Sequence, residues 1–244
     1  MTKLALITGG SGGIGAAICH KLAKSGYRVV FTFNSNQSAA EQVLDSLEGT
    51  GHAMYQLNVE DSSAISALAE QVKETSQSLD LLVNCAGMTK FVPHNDLNSL
   101  NDELIDKIFR VNVRAPFAMV RAFEPALKNA KGCVVNITSI AAQTAMGSNV
   151  AYCASKSAVE NMTRSLARAL SPDIRVLAVA PGLVDTEFVK GLDDEWRDAQ
   201  EQSTPLKRLA NDEEVANAVF AAAELLTFST GNTIAVDGGR PLSN

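Results

Sequence analysis

The sequence predicts an α/β fold: a doubly wound, parallel sheet of about seven strands with helices on both faces. Two observations predict it. Short apolar runs of strand length alternate with amphipathic stretches of helical length throughout the 244 residues. No linker, internal repeat or low-complexity block divides the chain, so we expect one domain over residues 1–244. Repeated strand–helix units imply parallel strands joined by right-handed crossovers, which place helices on both faces of the sheet.

Each element follows from apolar periodicity and from the residues that start or stop helices. The predicted strands are residues 3–8, 28–33, 52–59, 80–84, 132–138, 174–180 and 233–236. The predicted helices are residues 13–24, 39–47, 62–75, 101–129, 150–170 and 212–226. Asp61 is the expected N-cap of the third helix. Pro116 and Pro125 interrupt the long fourth helix, because proline lacks the N–H that a helix interior requires.

Composition narrows the classes of function. A hydrophobic content of 46% with 20% charged residues is typical of a soluble globular protein. The net charge of -6 argues against nucleic acid or an anionic membrane as the main partner. The four cysteines are scattered and the three histidines lack ligand spacing, so we expect neither a disulfide framework nor a metal site. The apolar run Leu4–Ile7 is too short for a signal peptide, and we therefore expect a cytoplasmic protein.

The glycine-rich loop at residues 8–15, TGGSGGIG, has two interpretations. GGSGG fits the nucleophile elbow of a serine hydrolase, with Ser11 as the nucleophile. GSGGIG fits a cradle in which backbone N–H groups at a helix N-terminus bind a dinucleotide phosphate. A hydrolase of this type needs a histidine base later in the chain, but the last histidine is His94. The cradle is the preferred interpretation, and Ser11 becomes a cofactor contact or a turn residue.

Tyr152 and Lys156 are four residues apart in the predicted helix 150–170, so their side chains share one face. An ammonium beside a phenol favours the deprotonated phenol, which makes Tyr152 a candidate general acid or base. Taken alone, the two residues would be read more simply as an exposed pair on an amphipathic helix.

The ordered set of motifs along the whole chain resembles the short-chain dehydrogenase/reductase family. The set comprises TGxxxGIG at residues 8–15, NCAG at 84–87, RVNVRAPF at 110–117, Ser139 thirteen residues before the tyrosine, YCASK at 152–156, PG at 181–182 and VDGG at 236–239. The resemblance implies a Rossmann fold of the single-domain subclass. It also implies an oxidoreductase that exchanges a hydride between a nicotinamide dinucleotide and a carbonyl or secondary alcohol.

The resemblance implies four catalytic residues. Tyr152 would transfer a proton to or from the substrate oxygen, and Ser139 would hydrogen-bond the same oxygen. Lys156 would bind the nicotinamide ribose and assist the tyrosine, and Asn112 would support a water-mediated proton relay. The implied cofactor contacts, besides Tyr152 and Lys156, are Gly9, Gly10, Ser11, Gly12, Gly13, Ile14, Gly15, Asn34, Ser35, Asn58, Val59, Asn84, Cys85, Ala86, Gly87, Pro181, Gly182, Val184 and Thr186.

Two of these positions depart from the usual family residues. Cys85 replaces the second asparagine of NNAG, and Asn58 stands where many relatives have an aspartate. We expect little loss of function, because the first position acts largely through its backbone and the second exchange also occurs in active members of the family.

The end of the second strand favours NADP(H) over NAD(H). An NAD-specific site usually has an acidic residue there to bind the ribose 2′-hydroxyl, but Phe33 stands at that position. No carboxylate then repels a 2′-phosphate, and Asn34, Ser35 and Asn36 can donate hydrogen bonds to it. Against this, the basic residue often seen in NADP-dependent relatives is missing, because Gly12 takes its place.

The layout is most similar to 3-oxoacyl-[acyl-carrier-protein] reductases, which implies an acyl-carrier-bound substrate and a role in fatty acid biosynthesis. A carrier protein needs a basic patch near the site, for which the candidates are Lys128, Lys131, Arg164 and Arg168. Residues 183–209, with Trp196, are expected to cover the substrate. The alternatives are a broad ketone reductase, a sugar or alcohol dehydrogenase of the same family, and a dinucleotide-sensing binding protein without catalysis.

The resemblance also implies a homotetramer built partly from helices 101–129 and 150–170. The first of these helices has more apolar residues than one buried face needs: Phe109, Val113, Phe117, Met119 and Val120. Within it, Pro116 cannot donate to the carbonyl of Asn112, so we predict a kink that frees this carbonyl. A freed carbonyl needs a partner, and we expect an ordered water on the path to Lys156.

Overall fold

The computed structural model describes residues 2–186 and 193–242. The strands of these residues are β1 (Leu4–Ile7), β2 (Arg28–Phe33), β3 (Ala53–Gln56), β4 (Leu81–Asn84), β5 (Cys133–Ile137), β6 (Arg175–Pro181) and β7 (Thr233–Val236). They form one parallel sheet in the order β3-β2-β1-β4-β5-β6-β7. The predicted doubly wound sheet is therefore confirmed.

The helices of the described residues are α1 (Gly13–Lys24), α2 (Gln37–Ser46), α3 (Ser62–Thr75), α4 (Asp102–Phe109), α5 (Ala115–Ala130), α6 (Ala141–Thr144), α7 (Val150–Leu170), α8 (Asp194–Ser203) and α9 (Asp212–Phe220). A π-helical turn, Arg110–Arg114, joins α4 to α5, and a second one, Ala221–Leu225, extends α9. A 3₁₀ turn, Arg240–Leu242, follows β7.

Apolar side chains are buried on both faces of the sheet, as expected for parallel strands that are covered by helices. One face, with Ile7 and Val83, packs against α1, α2 and α9. The opposite face, with Leu6 and Leu82, packs against α3, α5 and α7. Successive strand residues alternate between these two layers, so nearly every residue of the central strands is buried.

The long fourth helix differs most from its prediction. Residues 101–129, predicted as one interrupted helix, form α4, the π turn and α5. The irregular turn precedes Pro116, and the N–H of Ala115 donates to the carbonyl of Arg110. Pro116 then lies in the first turn of α5, where its missing N–H costs little. Two further helices, α6 and α8, lie where periodicity predicts no helix.

The strand order creates a crevice at the carboxyl ends of β1 and β4. The chain leaves β1 toward α1 on one face of the sheet and leaves β4 toward α4 and α5 on the other face. In the sheet, β2 lies on one side of β1 and β4 lies on the other, so the strand order reverses between β1 and β4. Such a reversal of strand order is where open α/β sheets bind their ligands.

Candidate active site

The glycine loop fills the crevice next to β1, and its glycines are packed too closely for side chains. A methyl carbon built on Gly15 would lie 2.1 Å from the Gly9 carbonyl oxygen. One built on Gly10 would lie 2.7 Å from Cβ of Phe31. Gly9 has a φ of +72° and lies against Ala86, beyond the end of β4. The loop is therefore pressed against β2 and β4 before it turns into α1.

The N-terminus of α1 faces open space and has no side-chain cap. Its N-cap residue is Gly12, which has no side chain to accept a hydrogen bond from the helix N–H groups. A methyl carbon built on Gly12 would meet nothing within 4 Å. The first N–H groups of this helix therefore lack a side-chain acceptor, and the helix dipole adds an attraction for anions. This end of α1 fits a pyrophosphate, as the cradle interpretation requires.

Ser11 has no histidine partner that would make it a nucleophile. All three histidines lie within residues 2–186, and all three bond elsewhere. His20 bonds the hydroxyl of Ser46, whereas His52 and His94 bond backbone groups. Among the described residues, no histidine is therefore placed to act as the base that the hydrolase interpretation needs.

Thr8, the first residue of the loop, holds the chain where it leaves β4. Its buried hydroxyl oxygen accepts hydrogen bonds from the N–H groups of Cys85 and Ala86, both at 3.0 Å. Thr8 is absent from the predicted site residues, although it begins the TGxxxGIG motif. Burial raises the pKa of the Cys85 thiol to about 11, against the opposing effect of the Lys156 ammonium. A neutral thiol agrees with a position that acts through its backbone.

The ends of β2 and β3 form one side of the crevice. Phe33 ends β2, but its side chain is only 5% exposed and packs in the apolar layer. Because its ring packs inward, the residues that follow Phe33 are the exposed groups at this strand end, and the cofactor preference stays a prediction. The exposed residues at this strand end are Asn34 and Ser35. The Asn36 Oδ1 atom caps α2 by accepting from the N–H of Ala39 at 3.1 Å.

Asn58 and Val59 follow β3 at the same edge of the sheet. The Asn58 Oδ1 atom accepts from the N–H of Glu60 at 3.0 Å, and Val59 packs partly against the core. Glu60 also forms an ion pair of 3.1 Å with Arg110 of the π turn. The π turn is thus linked to the loop that contains both predicted contacts.

Tyr152 and Lys156 lie on α7 as predicted, with the Lys156 ammonium 5.7 Å from the centre of the Tyr152 ring. Lys156 is buried, and its Nζ donates to the carbonyl of Ile137, the last residue of β5, at 2.9 Å. Ser139 lies two residues farther along. Its Oγ accepts from the N–H of Ala141 at 3.1 Å, so the hydroxyl hydrogen can still be donated to a substrate oxygen.

Asn149 fixes the start of α7 beside the tyrosine. It is fully buried, and its Oδ1 accepts from the N–H of Tyr152 at 2.7 Å. Its Nδ2 donates to the carbonyl of Lys90 at 2.7 Å. A single side chain therefore caps the catalytic helix and connects it to the loop after β4.

The side chain of Asn112 joins three parts of the site. Its Oδ1 accepts from the N–H of Met88 at 2.9 Å, and its Nδ2 donates to the Met88 carbonyl and to Ser155 Oγ, both at 3.0 Å. A methyl carbon on Gly87 would lie 3.5 Å from Asn112 Oδ1 and 3.7 Å from Lys156 Nζ. Gly87 therefore lies beside both the Asn112 and the Lys156 side chains. The proton relay through the Asn112 backbone carbonyl stays a prediction.

The end of β6 borders the site beyond Ser139. The carbonyl of Pro181 accepts from the N–H of Ile140 at 3.0 Å, and the N–H of Gly182 donates to Val236 of β7 at 2.8 Å. A methyl carbon on Gly182 would lie 2.9 Å from Cα of Asp237, so only glycine fits there without a shift.

Val184 and Thr186 continue from β6 toward the glycine loop. Val184 is buried and pairs with Ala210. The Thr186 Cγ2 atom lies 3.6 Å from a methyl carbon built on Gly13. The chain after β6 therefore returns to the N-terminus of α1.

A row of buried side chains behind the site connects β4 to α7. Asn84 Nδ2 donates to Asn136 Oδ1 at 2.8 Å, and Asn136 Nδ2 donates to Thr163 Oγ1 at 2.9 Å. Thr163 donates in turn to the carbonyl of Val159, one turn earlier in α7. Among these residues only Asn84 was predicted, because the others belong to no motif.

Comparison with known proteins assigns the family. The chain matches the family model described as Enoyl-(Acyl carrier protein) reductase over residues 9–240. The 3-oxoacyl-[acyl-carrier-protein] reductase FabG of Staphylococcus aureus is 34% identical over 244 residues, which cover 98% of each chain. A short-chain dehydrogenase/reductase structure from Serratia marcescens is 32% identical with a TM-score of 0.89, over 98% of each chain. The protein belongs to the short-chain dehydrogenase/reductase family. The structure of ElxO with NADP bound is 26% identical with a TM-score of 0.90, over 98% of this chain and 99% of that one.

As a short-chain dehydrogenase/reductase, the protein is an oxidoreductase resembling 3-oxoacyl-[acyl-carrier-protein] reductases, from a family that uses a nicotinamide dinucleotide. Within residues 2–186 and 193–242, no helix is both long and apolar enough to cross a membrane.

In this dehydrogenase/reductase, two lysines predicted to face a carrier protein lie away from the crevice. Lys128 and Lys131 are at the end of α5, next to the start of β5, whereas the site lies where the strands end. Lys128 also pairs with Glu124 at 2.5 Å, and Arg164 pairs with the buried Glu160 at 3.5 Å. The expected basic patch at the mouth of the site is not formed by these lysines.

Side-chain burial bears on two further predictions, the apolar residues expected at a subunit interface and the segment expected to cover the substrate. Met119 and Val120 are buried within the monomer, whereas Phe109 and Phe117 of the same stretch are 37% and 43% exposed. The segment predicted to cover the substrate, 183–209, includes residues 187–192, which lie outside the described residues. Its helix, α8, has no buried side chain.

Proposed function

We propose that the protein reduces the ketone of 3-oxoacyl thioesters on an acyl-carrier protein, with NADPH as the reductant. The carrying observation is that an uncapped, glycine-lined N-terminus of α1 and the Tyr152–Lys156 pair open on one crevice. Gly9 of the loop lies against Ala86, and the next residue, Gly87, lies beside Lys156, so the segments around both features are in contact. A dinucleotide with its phosphates at α1 fits the carboxyl ends of the strands.

The proposed chemistry adds one hydride and one proton across the ketone. NADPH, when bound, supplies the hydride to the carbonyl carbon. Tyr152 donates its phenolic proton to the carbonyl oxygen, and a secondary alcohol results. Ser139 donates a hydrogen bond to that oxygen and stabilises the negative charge that develops on it. Lys156, held by the carbonyl of Ile137, favours the tyrosinate that remains, and the predicted relay at Asn112 returns a proton to it.

The preference for NADPH rests on charge at the end of β2. Asn34 and Ser35 are exposed there, and both offer hydrogen-bond donors without a negative charge that would repel a 2′-phosphate. Helix α2 begins two residues after Ser35, and the positive end of its dipole adds attraction for the phosphate. Similarity to the NADP-bound structure of ElxO supports the same choice.

The carrier-bound substrate is supported by whole-length similarity to the FabG reductase. A broad ketone reductase, or a sugar or alcohol dehydrogenase, is the alternative within the family. A sensor without catalysis has no chemical use for Tyr152, Lys156 and Ser139, all of which are present at the crevice.

Initial rates with a substrate panel test the proposal. The panel contains a 3-oxoacyl group on acyl-carrier protein, the same group on a short thiol, simple ketones, and sugars or secondary alcohols for the reverse reaction. Each is measured with NADPH and with NADH by the change in cofactor absorbance. We expect the largest kcat/KM for the carrier-bound substrate with NADPH. Equal rates for the short thiol ester would exclude a specific carrier, and preference for a sugar would refute the substrate class.

We also propose a homotetramer in the cytoplasm. Phe109, Val113 and Phe117 recur every four residues from α4 to α5, and the two phenylalanines are exposed in the monomer. A paired helix surface would bury them. The free thiols of the described cysteines suit a reducing compartment. Light scattering at micromolar concentration tests the assembly, and a mass near that of one 25.9 kDa chain would refute the tetramer.

A further inference from the structure

The π turn of residues 110–114 has Asn112 at its centre and joins α4 to α5. Pro116 has no N–H to donate to the Asn112 carbonyl, so an α-helical bond that would stiffen this stretch is missing. Turns of this kind are rare and often occur at functional sites. The position of Asn112 therefore depends on the contacts that the turn makes with other parts of the chain.

Both ends of the π turn bind a single residue, Glu60. Arg110, the first residue of the turn, donates from Nε to Glu60 Oε2 at 3.1 Å. Arg114, the last residue of the turn, donates from Nη2 to the backbone carbonyl of Glu60. The Arg110 and Glu60 side chains are 40% and 26% exposed, so their ion pair is partly buried. These three residues form a polar clamp that attaches both ends of the turn to Glu60.

Glu60 lies in a short loop that is itself fixed in place. Its N–H donates to Asn58 Oδ1 at 3.0 Å, and the N–H of Asp61 donates to the Asn58 carbonyl at 3.0 Å. The Asp61 carboxylate then caps α3 by accepting from the N–H groups of Ser63 and Ala64. Helix α3 packs on the sheet through buried apolar side chains. Glu60 is therefore a fixed point of attachment for the turn.

The turn that the clamp holds presents Asn112 to the site. Asn112 Oδ1 accepts from the N–H of Met88 at 2.9 Å, and its Nδ2 donates to Ser155 of α7 at 3.0 Å. Gly87, next to Met88, lies beside both Asn112 and Lys156. A rotation of the turn would separate the Asn112 side chain from these partners. It would also move the Asn112 backbone carbonyl away from the predicted path to Lys156.

We propose that Glu60 is a positioning residue that fixes the π turn through the clamp and so places Asn112 beside Lys156. The inference rests on the ketone reduction proposed above, in which Asn112 supports the proton relay. Loss of the clamp should therefore lower kcat. The affinity for NADPH should change little, because Arg110 is not among the proposed cofactor contacts. A partly exposed ion pair shifts an equilibrium by up to about fivefold, and we expect changes of this size.

Hydrogen–deuterium exchange of the Met88 N–H reports the position of Asn112 without any substrate, because that N–H donates to Asn112 Oδ1. Arg110→Met removes the ion pair and leaves the loop of Glu60 intact, so it should speed this exchange about fivefold. Glu60→Met should do the same. The double variant should exchange no faster than either single one, because both substitutions remove the same interaction. Arg110→Lys keeps a cation beside Glu60 and should restore most of the protection.

Steady-state kinetics measures the consequence for the reaction. Arg110→Met should lower kcat for ketone reduction about fivefold and leave the Kd of NADPH within about twofold of wild type. The solvent isotope effect on kcat should rise, because return of the proton becomes slower, whereas a loss of folded protein would leave it unchanged. Lys73→Met is the matched control, since it removes one positive charge and an ion pair with Glu70 at the opposite end of α3 from Glu60. Its kcat and Met88 exchange should equal those of the wild type.

The outcomes separate the positioning role from the proposed function. Three results in folded Arg110→Met protein would each overturn the role: wild-type Met88 exchange, a fall in kcat without faster exchange, or faster exchange without a fall in kcat. If Arg110→Met and Glu60→Met do not fold, Glu60→Gln decides, since it keeps an acceptor and loses only the charge. Faster Met88 exchange in Glu60→Gln would support the role, and wild-type exchange would overturn it. A wild-type protein that reduces no carbonyl substrate with NADPH overturns the proposed function, whereas the exchange measurements still decide whether Glu60 places Asn112.

Discussion

Replacing Thr8 with valine removes one hydroxyl and keeps the branched shape of the side chain. That oxygen accepts from the N–H groups of Cys85 and Ala86, each at 3.0 Å, and Thr8 is 2% exposed. Its own hydrogen makes only a weak contact of 3.5 Å with the carbonyl of Val83. Valine therefore leaves two backbone N–H groups without an acceptor where the chain leaves β4.

The magnitude follows from the cost of unpaired donors. Each buried N–H that loses its acceptor costs about 1–3 kcal/mol, so two of them cost about 2–6 kcal/mol. The added methyl group returns about 0.8 kcal/mol of hydrophobic stabilisation. We take a net loss of about 3 kcal/mol in the free energy of unfolding. In a chain of this size, that loss lowers Tm by about 6–12 °C.

Thermal unfolding of Thr8→Val, with Thr8→Ser as the matched control, checks this reasoning. Serine retains the acceptor and should stay close to the wild-type Tm. The Thr8→Val protein should also bind NADPH more weakly, because residues 85–87 border the cofactor crevice. A fall in Tm below about 2 °C would show that these N–H groups find other acceptors, and the argument would be refuted.

Three further predictions follow from the site and its surroundings. Tyr152→Phe should abolish ketone reduction and leave the Kd of NADPH within about threefold of wild type, since only the transferable proton is lost; substantial turnover would overturn the acid/base role. Asn34→Asp should shift the cofactor preference toward NADH by about 1–3 kcal/mol in relative kcat/KM, because it puts a negative charge on the exposed end of β2. Phe33→Asp would instead bury the charge and destabilise the fold. The Arg208 guanidinium holds the pKa of Glu214 at about 2, below its usual 4.5. The stability from this lowered pKa is complete above about pH 4.5 and is lost as the pH falls toward 2, so Glu214→Gln should destabilise at pH 7 but not near pH 2 in urea unfolding; an equal effect at both values would refute the linkage.

The sequence predicts the sheet well because its strands are buried on both faces. Runs such as residues 81–83 and 133–135 are apolar without interruption, and glycines or caps bound the helices beside them. Helix α8 escapes prediction because it buries no side chain, so it has no apolar period to detect. The π turn before α5 also escapes, since one extra residue in a turn hardly changes the spacing of apolar positions.

The candidate site divides in the same way. The residues that we propose to contact ligands belong to motifs with fixed spacing, as Tyr152 and Lys156 do, so the sequence alone predicts them. Residues that hold these groups in place act across long separations. Thr8 bonds an N–H that is 77 positions away, and Asn149 bonds a carbonyl 59 positions away. No local pattern contains such a pair, so only the folded chain shows it.

Phe33 shows that the direction of a side chain is harder to predict from the sequence than the position of its residue in a strand. Its position at the end of β2 can be read from the apolar run, but the direction of its side chain depends on strand alternation and on what covers each face. Val29, Phe31 and Phe33 share the layer beneath α1 and α2, so the ring of Phe33 packs inward and the next residue, Asn34, is the first to face solvent. We therefore expect the determinant of cofactor choice to be Asn34, one residue beyond the aligned position. The proposed preference for NADPH does not change, because Asn34 is as uncharged as phenylalanine. The residue that a mutational test must alter does change.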